Sequence, residues 1–216
     1  WMREKVLKLD LNTWFHPTVD IQRSGKSDLY GFDGKPKFDV IMPGDLVHCD
    51  FGISYLTLNT DCQELAYVLK PGETDAPQFL KEALKQGNTV QDALTDNFIK
   101  GRTGNETLKI AIKESKKLGL RPQIYTHPLG LYGHSAGTKF GMWDAQNGVP
   151  GSGEHPLYEN TAYAIELNAK VYIDQWQKDI RIMLEEAGFF GPSGFRYVNG
   201  RQTNLILIGQ KSKYLE

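Results

Sequence analysis

The sequence predicts an α+β fold in which helices cover one face of a curved antiparallel sheet. Three observations carry this. A strand hairpin occupies 46–69, two helical segments follow over 76–117, and the chain from 161 to 208 is mostly strand. Strands and helices thus come in blocks and do not alternate, which argues against a doubly wound parallel sheet. With 216 residues, 40% of them hydrophobic and 24% charged, the chain can bury a core as one domain.

The elements follow in order. Trp1-Met2-Arg3-Glu4-Lys5-Val6-Leu7 reads as the middle of an amphipathic helix with no N-cap before it, so the domain is expected to be truncated at its N-terminus. His16 to Gln22 reads as a short strand, followed by a Gly-, Ser- and Lys-rich loop from Ser24 to Lys37. Pro43-Gly44-Asp45 is a turn signal launching a strand from Leu46 to Ser54. The return strand runs from Leu56 to Leu69 and stops at Lys70-Pro71-Gly72-Glu73.

A helix over Ala76 to Ile99, with a break near Gly87, is expected next. Thr103-Gly104-Asn105-Glu106 is a capping box that starts a second helix. That helix ends at Lys116-Lys117-Leu118-Gly119, where cations and a glycine suit a C-terminus. A Gly- and His-rich loop spans His127 to Gly141. Strands are then expected at Thr161–Val171, Asp179–Ala187, Phe195–Val198 and Asn204–Ile208, in an antiparallel arrangement.

Composition excludes several classes. A net charge of −1 gives no electrostatic footprint for nucleic acid or an anionic membrane. No apolar run approaches the roughly 18–20 residues needed to cross a bilayer, and no secretory signal opens the chain. A cytoplasmic location is therefore expected. Cys49 and Cys62 are too few for a disulfide scaffold; they read as two free thiols, with a strained cross-strand disulfide as the alternative.

The chemistry concentrates in acids at unusual places. If the hairpin pairs 50 with 61 and 49 with 62, Asp50 and Asp61 face each other with Cβ atoms about 5 Å apart. Like charges so placed call for a cation. Glu166 interrupts the apolar run Ala162-Tyr163-Ala164-Ile165-Glu166-Leu167, where a lone acid is costly unless paired or bound to metal. Glu185 stands in a similar setting, with Glu186 beside it as the alternative, and His134 is presented on the glycine-rich loop. Asp50, Asp61, His134, Glu166 and Glu185 together suit two divalent ions of moderately hard character, Mn first, then Co, Zn or Fe.

One competing motif is present. Gly133-His134-Ser135-Ala136-Gly137 matches a G-x-S-x-G nucleophile elbow, but the flanking residues supply neither the preceding strand nor the following helix.

Gly44-Asp45-Leu46-Val47-x-x-Asp50-x-Gly52, a second aspartate eleven positions on, Gly133-His134-x-x-Gly137 and Ile165-Glu166 occur in that order. This series resembles the pita-bread metallopeptidase family of methionine aminopeptidases, Xaa-Pro aminopeptidases, prolidases and creatinase. The resemblance covers the chain from His16 onward and implies one catalytic domain over residues 1–216 with a pita-bread fold. It also implies a dinuclear metallopeptidase acting near the N-terminus of short peptides, with Xaa-Pro aminopeptidase or dipeptidase specificity ahead of methionine removal.

By that resemblance Asp50 holds one metal, Asp61 and Glu185 bridge both, and His134 and Glu166 complete the second. A hydroxide shared by the metals attacks, and Glu166 acts as general base. His16 matches an upstream histidine that lines the substrate site. Relatives also carry a second histidine seven positions after the ligand, where this chain has Gly141; His127, seven positions before His134, is the candidate to supply that donor. A pita-bread protein without peptidase activity, either a creatinase-like hydrolase or a binding module, is the alternative. The implied partner is a peptide, with no nucleic acid or membrane, and the family suggests a homodimer.

Overall fold

A computed structural model describes residues 1–25 and 40–209, so most of the expected loop from Ser24 to Lys37 lies outside the described residues. The element order is α1 (Met2–Lys8), β1 (Asn12–Thr13), β2 (Thr18–Gln22), β3 (Leu46–Phe51), β4 (Ile53–Tyr55), β5 (Leu58–Asn59) and β6 (Cys62–Val68). Then come α2 (Gln78–Thr95), α3 (Gly104–Lys117), β7 (Pro122–Ile124), β8 (His127–Pro128), β9 (Thr161–Ile173), β10 (Lys178–Gly191), β11 (Gly194–Tyr197) and β12 (Ile206–Ile208).

One nine-stranded sheet carries the fold, ordered β2-β3-β6-β10-β9-β7, with β11 on β10, β12 on β6 and β8 on β9. A small sheet, β1-β4-β5, continues the first hairpin. The ladders are antiparallel except one: β12 runs parallel to β6, where an antiparallel strand was expected. The reason is connectivity, since β12 returns to β6 after a long excursion and is not its hairpin partner.

The turn before β3 is pinned chemically. Asp45 accepts from Met42 N at 2.6 Å and from Arg23 Nε at 2.6 Å, and Gly44 takes φ +93°. The hairpin beyond β3 differs from the expected register. Asp50 pairs with Gln63 and Phe51 with Cys62, because the chain turns after Tyr55, with Leu56 at φ +55°. The shift is two residues, not one, so the faces are preserved: Asp50 and Asp61 are diagonal neighbours and not directly opposed. The same shift places Cys49 opposite Glu64 and Cys62 opposite Phe51, and both cysteines are free thiols.

β9 and β10 form the long central hairpin, and period-two alternation divides it. Ile165, Leu167, Ile182 and Leu184 join the core under the helices, together with Leu80, Leu84 and Leu108. Glu166 and Glu185 project from the opposite face. Helix α2 runs unbroken through Gly87, against expectation. A Cβ there would lie 2.7 Å from Ile182 Cγ2 and 2.9 Å from Leu184 Cδ1, so this glycine permits close helix–sheet approach and does not mark a break. The capping box of α3 is complete: Thr103 Oγ1 accepts from Glu106 N at 3.2 Å, and Thr103 N donates to Glu106 Oε2 at 2.9 Å.

Candidate metal centre

Register builds the site. Asp50 on β3 pairs with Gln63 on β6, Gln63 with Glu185 on β10, and Glu185 with Glu166 on β9. Directly opposed residues share a face, so these four side chains form one row across four strands. Asp61 joins from the step just before β6. On the far side of β9, Tyr125 N and Thr126 Oγ1 both donate to Glu166 O, which carries the chain onto β8 and brings in His127.

His127 is buried, and its Nε2 lies 3.6 Å from Glu166 Oε2, 3.6 Å from Glu185 Oε1 and 3.8 Å from Asp61 Oδ2. Its Nδ1 lies 3.1 Å from Pro128 O. A proton on Nδ1 satisfies that carbonyl and leaves the Nε2 lone pair directed at the acids, the arrangement a ligating imidazole needs. His134 sits differently. Its side chain is 63% exposed, Nε2 is 4.0 Å from Asp61 Oδ2, and its ring packs edge-on against His127 and Trp14.

Three polar atoms at this spot are buried without a hydrogen-bond partner: Asp50 Oδ1, His127 Nε2 and Glu185 Oε1. Such orphans are costly unless something else satisfies them. Three overlapping sets can each present ligand atoms within 4.8 Å of one another: Asp61, His127 and His134; His127, Glu166 and Glu185; and Asp50, Asp61 and Glu185. The donor set, mostly carboxylate with imidazole, therefore fits a divalent cation.

The electrostatics agree. Burial, then the charge of Glu166, pushes the Asp50 carboxyl up to about 6. Burial, then Asp50, pushes Asp61 up to about 8. Burial and the neighbouring acids raise Glu185 well above the usual carboxylate range. Burial, then the proximity of His127, lowers His134.

The pocket over this row has a volume of about 360 Å³. Asp50, Asp61, Tyr125, His127, His134, Glu166 and Glu185 line its floor and sides; Trp14, Phe15, Met142, Trp143 and Lys139 complete the wall, with Gly141 at its edge. Trp14 is held by Nε1 donating to Thr60 O at 2.7 Å. Gly133 makes room for it, since a Cβ there would come within 2.1 Å of the indole.

Of the residues singled out in the sequence, Asp50, Asp61, His127, His134, Glu166 and Glu185 converge. His16 does not line the pocket: it is exposed, with Nδ1 3.0 Å from Pro17 O, and its neighbours Trp14 and Phe15 take the wall position instead. Glu186 lies on the helix face opposite Ile165 and accepts from Gln202 N at 2.6 Å. Ser135 Oγ donates to Tyr132 O at 2.8 Å, a loop-closing bond remote from a nucleophile's geometry. Gly141 cannot carry a histidine, because its φ is +73° and a Cβ would stand 2.3 Å from Ile124 O. Sequence reasoning missed Gln63, Tyr125 and Lys139. The period-two spacing of Gln63 from Asp61 was the one available signal.

The family model of metallopeptidase family M24 matches residues 6–188. The chain belongs to metallopeptidase family M24. Its curled antiparallel sheet with helices on one side is the pita-bread fold. Among solved structures it is similar to the X-Pro aminopeptidase of Thermotoga maritima (TM-score 0.65, 20% identity, 91% of this chain and 50% of that one). It is also similar to a dipeptidase of Pyrococcus horikoshii (0.69, 16%, 95% and 52%). The N-terminal domain of FACT complex subunit SPT16 from Eremothecium gossypii shares the fold too (0.67, 13%, 92% and 43%). The chain thus spans about half the length of the first two of these structures. No curated protein sequence matched. Among the described residues no helix is long and apolar enough to cross a membrane.

Proposed function

We propose that this M24 chain is the catalytic part of a dinuclear metal-dependent peptidase that hydrolyses short peptides near their N-terminus, with Xaa-Pro substrates first. The observation that carries the reading is the row Asp50–Gln63–Glu185–Glu166 capped by His127, with three buried ligand-type atoms left unpaired. Asp50, Asp61, His127, Glu166 and Glu185 would hold the ions, Mn first among the candidates. Bound there, divalent ions polarise the scissile carbonyl and lower the pKa of water.

The role of ligating histidine, given to His134 on sequence resemblance, passes to His127 in this proposal. His127 is buried against three acids, whereas His134 stands at the rim. His134 then serves as the donor facing substrate, seven positions beyond the ligand. Glu166 takes up the proton from the attacking water and returns it to the leaving amine. Trp14, Phe15, Met142 and Trp143 offer apolar faces to the substrate side chains and exclude water from the scissile bond.

A second reading is a pita-bread domain without peptidase activity, a creatinase-like hydrolase or a binding module; the fold itself recurs in the SPT16 N-terminal domain. One experiment separates the two. Metal-stripped full-length protein is reconstituted with Mn²⁺ and assayed on Xaa-Pro dipeptides and tripeptides, with Glu166→Gln as control. Cleavage that needs the metal and disappears in the variant is expected. Metal binding without cleavage of any peptide supports the second reading.

A further inference from the structure

Two glutamine amides hold one wall of the pocket from behind, and neither of them lines it. β7 ends the strand order of the large sheet, and Gln146 pairs with its outer edge as a strand residue would. Gln146 Oε1 accepts from Ile124 N at 2.9 Å, and Nε2 donates to Ile124 O at 2.7 Å. The same NH₂ group also donates to Met142 O at 2.7 Å. An amide oxygen only accepts and an amide NH₂ only donates, so these partners fix the side chain one way round. Gln123, on β7 itself, donates from Nε2 to Trp143 O at 2.6 Å and accepts from Asn168 Nδ2 at 2.8 Å.

Both clamps act on one short segment. Phe140 is buried and stacked on Phe98, and Gly141, at φ +73°, turns the chain outward from there. Met142 and Trp143 then stand exposed on the pocket wall, and Ala145 N closes a turn onto Met142 O at 2.9 Å. Exposed side chains do little to hold their own backbone, whereas the amide bonds to Met142 O and Trp143 O act on it directly. The place of the wall thus depends on polar contacts made away from the substrate.

We propose that Gln146, assisted by Gln123, is a positioning residue for substrate selection. It keeps Met142 and Trp143 against a bulky apolar side chain of the peptide, so the site prefers such peptides to those with a small or charged side chain there. The proposal rests on the peptidase reading above and adds a specificity determinant to it. A displaced apolar wall loses contact with the side chain that it covers, and even one methylene in such a pocket is worth about tenfold or more in kcat/KM.

The test uses Mn²⁺-loaded, full-length protein and dipeptides whose first and second residues are varied in turn among glycine, aspartate, leucine, phenylalanine and proline. At one of the two positions wild type should favour the bulky apolar residues by at least about tenfold in kcat/KM. Gln146→Leu should erase most of that preference, through KM and not through kcat. Limited proteolysis of the metal-free proteins gives a readout independent of turnover: the variant should be cut within residues 141–146 about tenfold faster than wild type. Should Gln146→Leu fail to fold by circular dichroism, Gln123→Leu, which frees Trp143 O, should show both effects in smaller measure. Peptide cleavage with no bulky-apolar preference in wild type, or a preference unchanged in the folded variants, would overturn the proposal and leave the peptidase reading intact. If wild type cleaves no peptide, both fall together.

Discussion

His127 Nε2 and Glu185 Oε1 lie 3.6 Å apart, too far for a hydrogen bond, and neither atom has another partner. Two buried polar atoms facing each other across such a gap suit a shared divalent cation. His134, by contrast, is solvent-exposed and touches the acids only at 4.0 Å. His127→Ala should therefore weaken Mn²⁺ binding by at least about a hundredfold, above the usual range for outer residues. His134→Ala should change it by less than about tenfold while lowering turnover. Calorimetry on both variants checks this, and the reverse ranking would return the ligand role to His134.

The crowded acids make a pH prediction with a definite sign. Asp50 and Asp61 are raised in the folded protein to about 6 and about 8, from a usual value of 3.8. Between those values the folded state holds protons that the unfolded chain has released. Stability of the metal-free protein should then fall as pH rises from about 4 to about 8. Melting curves of chelator-treated protein should give a lower Tm at pH 8 than at pH 5, with Mn²⁺ restoring it at pH 8. A metal-free Tm that climbs over this interval would contradict the assignment.

Among the described residues Lys139 is the single lysine or arginine lining the pocket, and none of them forms an ion pair with its ammonium. It faces a site otherwise rich in acids and aromatic surface, where a substrate's free carboxylate could meet it. Lys139→Met should raise KM for a dipeptide with a free C-terminus by about tenfold, the loss of one charge-assisted contact. KM for the corresponding dipeptide amide should hardly move. Equal effects on both substrates would remove carboxylate recognition from this side chain.

Gly141 takes φ +73° with Ile124 O 2.3 Å from where a Cβ would be, whereas Gly151 takes φ +74° with open space around it. Gly141→Ala should cost about 2 kcal/mol or more, through backbone strain and collision together. Gly151→Ala should cost only the strain, about 1 kcal/mol. For a chain of this size the first should lower Tm by roughly 5 °C or more. Equal losses would mean that the loop relaxes around the added methyl.

Much of this protein was legible in the chain itself. The segregated blocks of strand and helix, the Thr103–Glu106 capping box, and an acid inside each of the two central apolar strands follow from local periodicity and from the cost of burying charge. Those signals act over a few residues and survive without knowledge of distant partners. What the tertiary structure alone decided depends on register between segments far apart. A two-residue shift in the hairpin's register put Gln63, not Asp61, opposite Asp50. The pairing of β8 with β9 made His127 the buried histidine and left His134 at the rim. Which amide ends up between two carboxylates is fixed by strands meeting across more than a hundred residues of chain, and which histidine is buried by the pairing of β8 with β9; no local pattern reaches either.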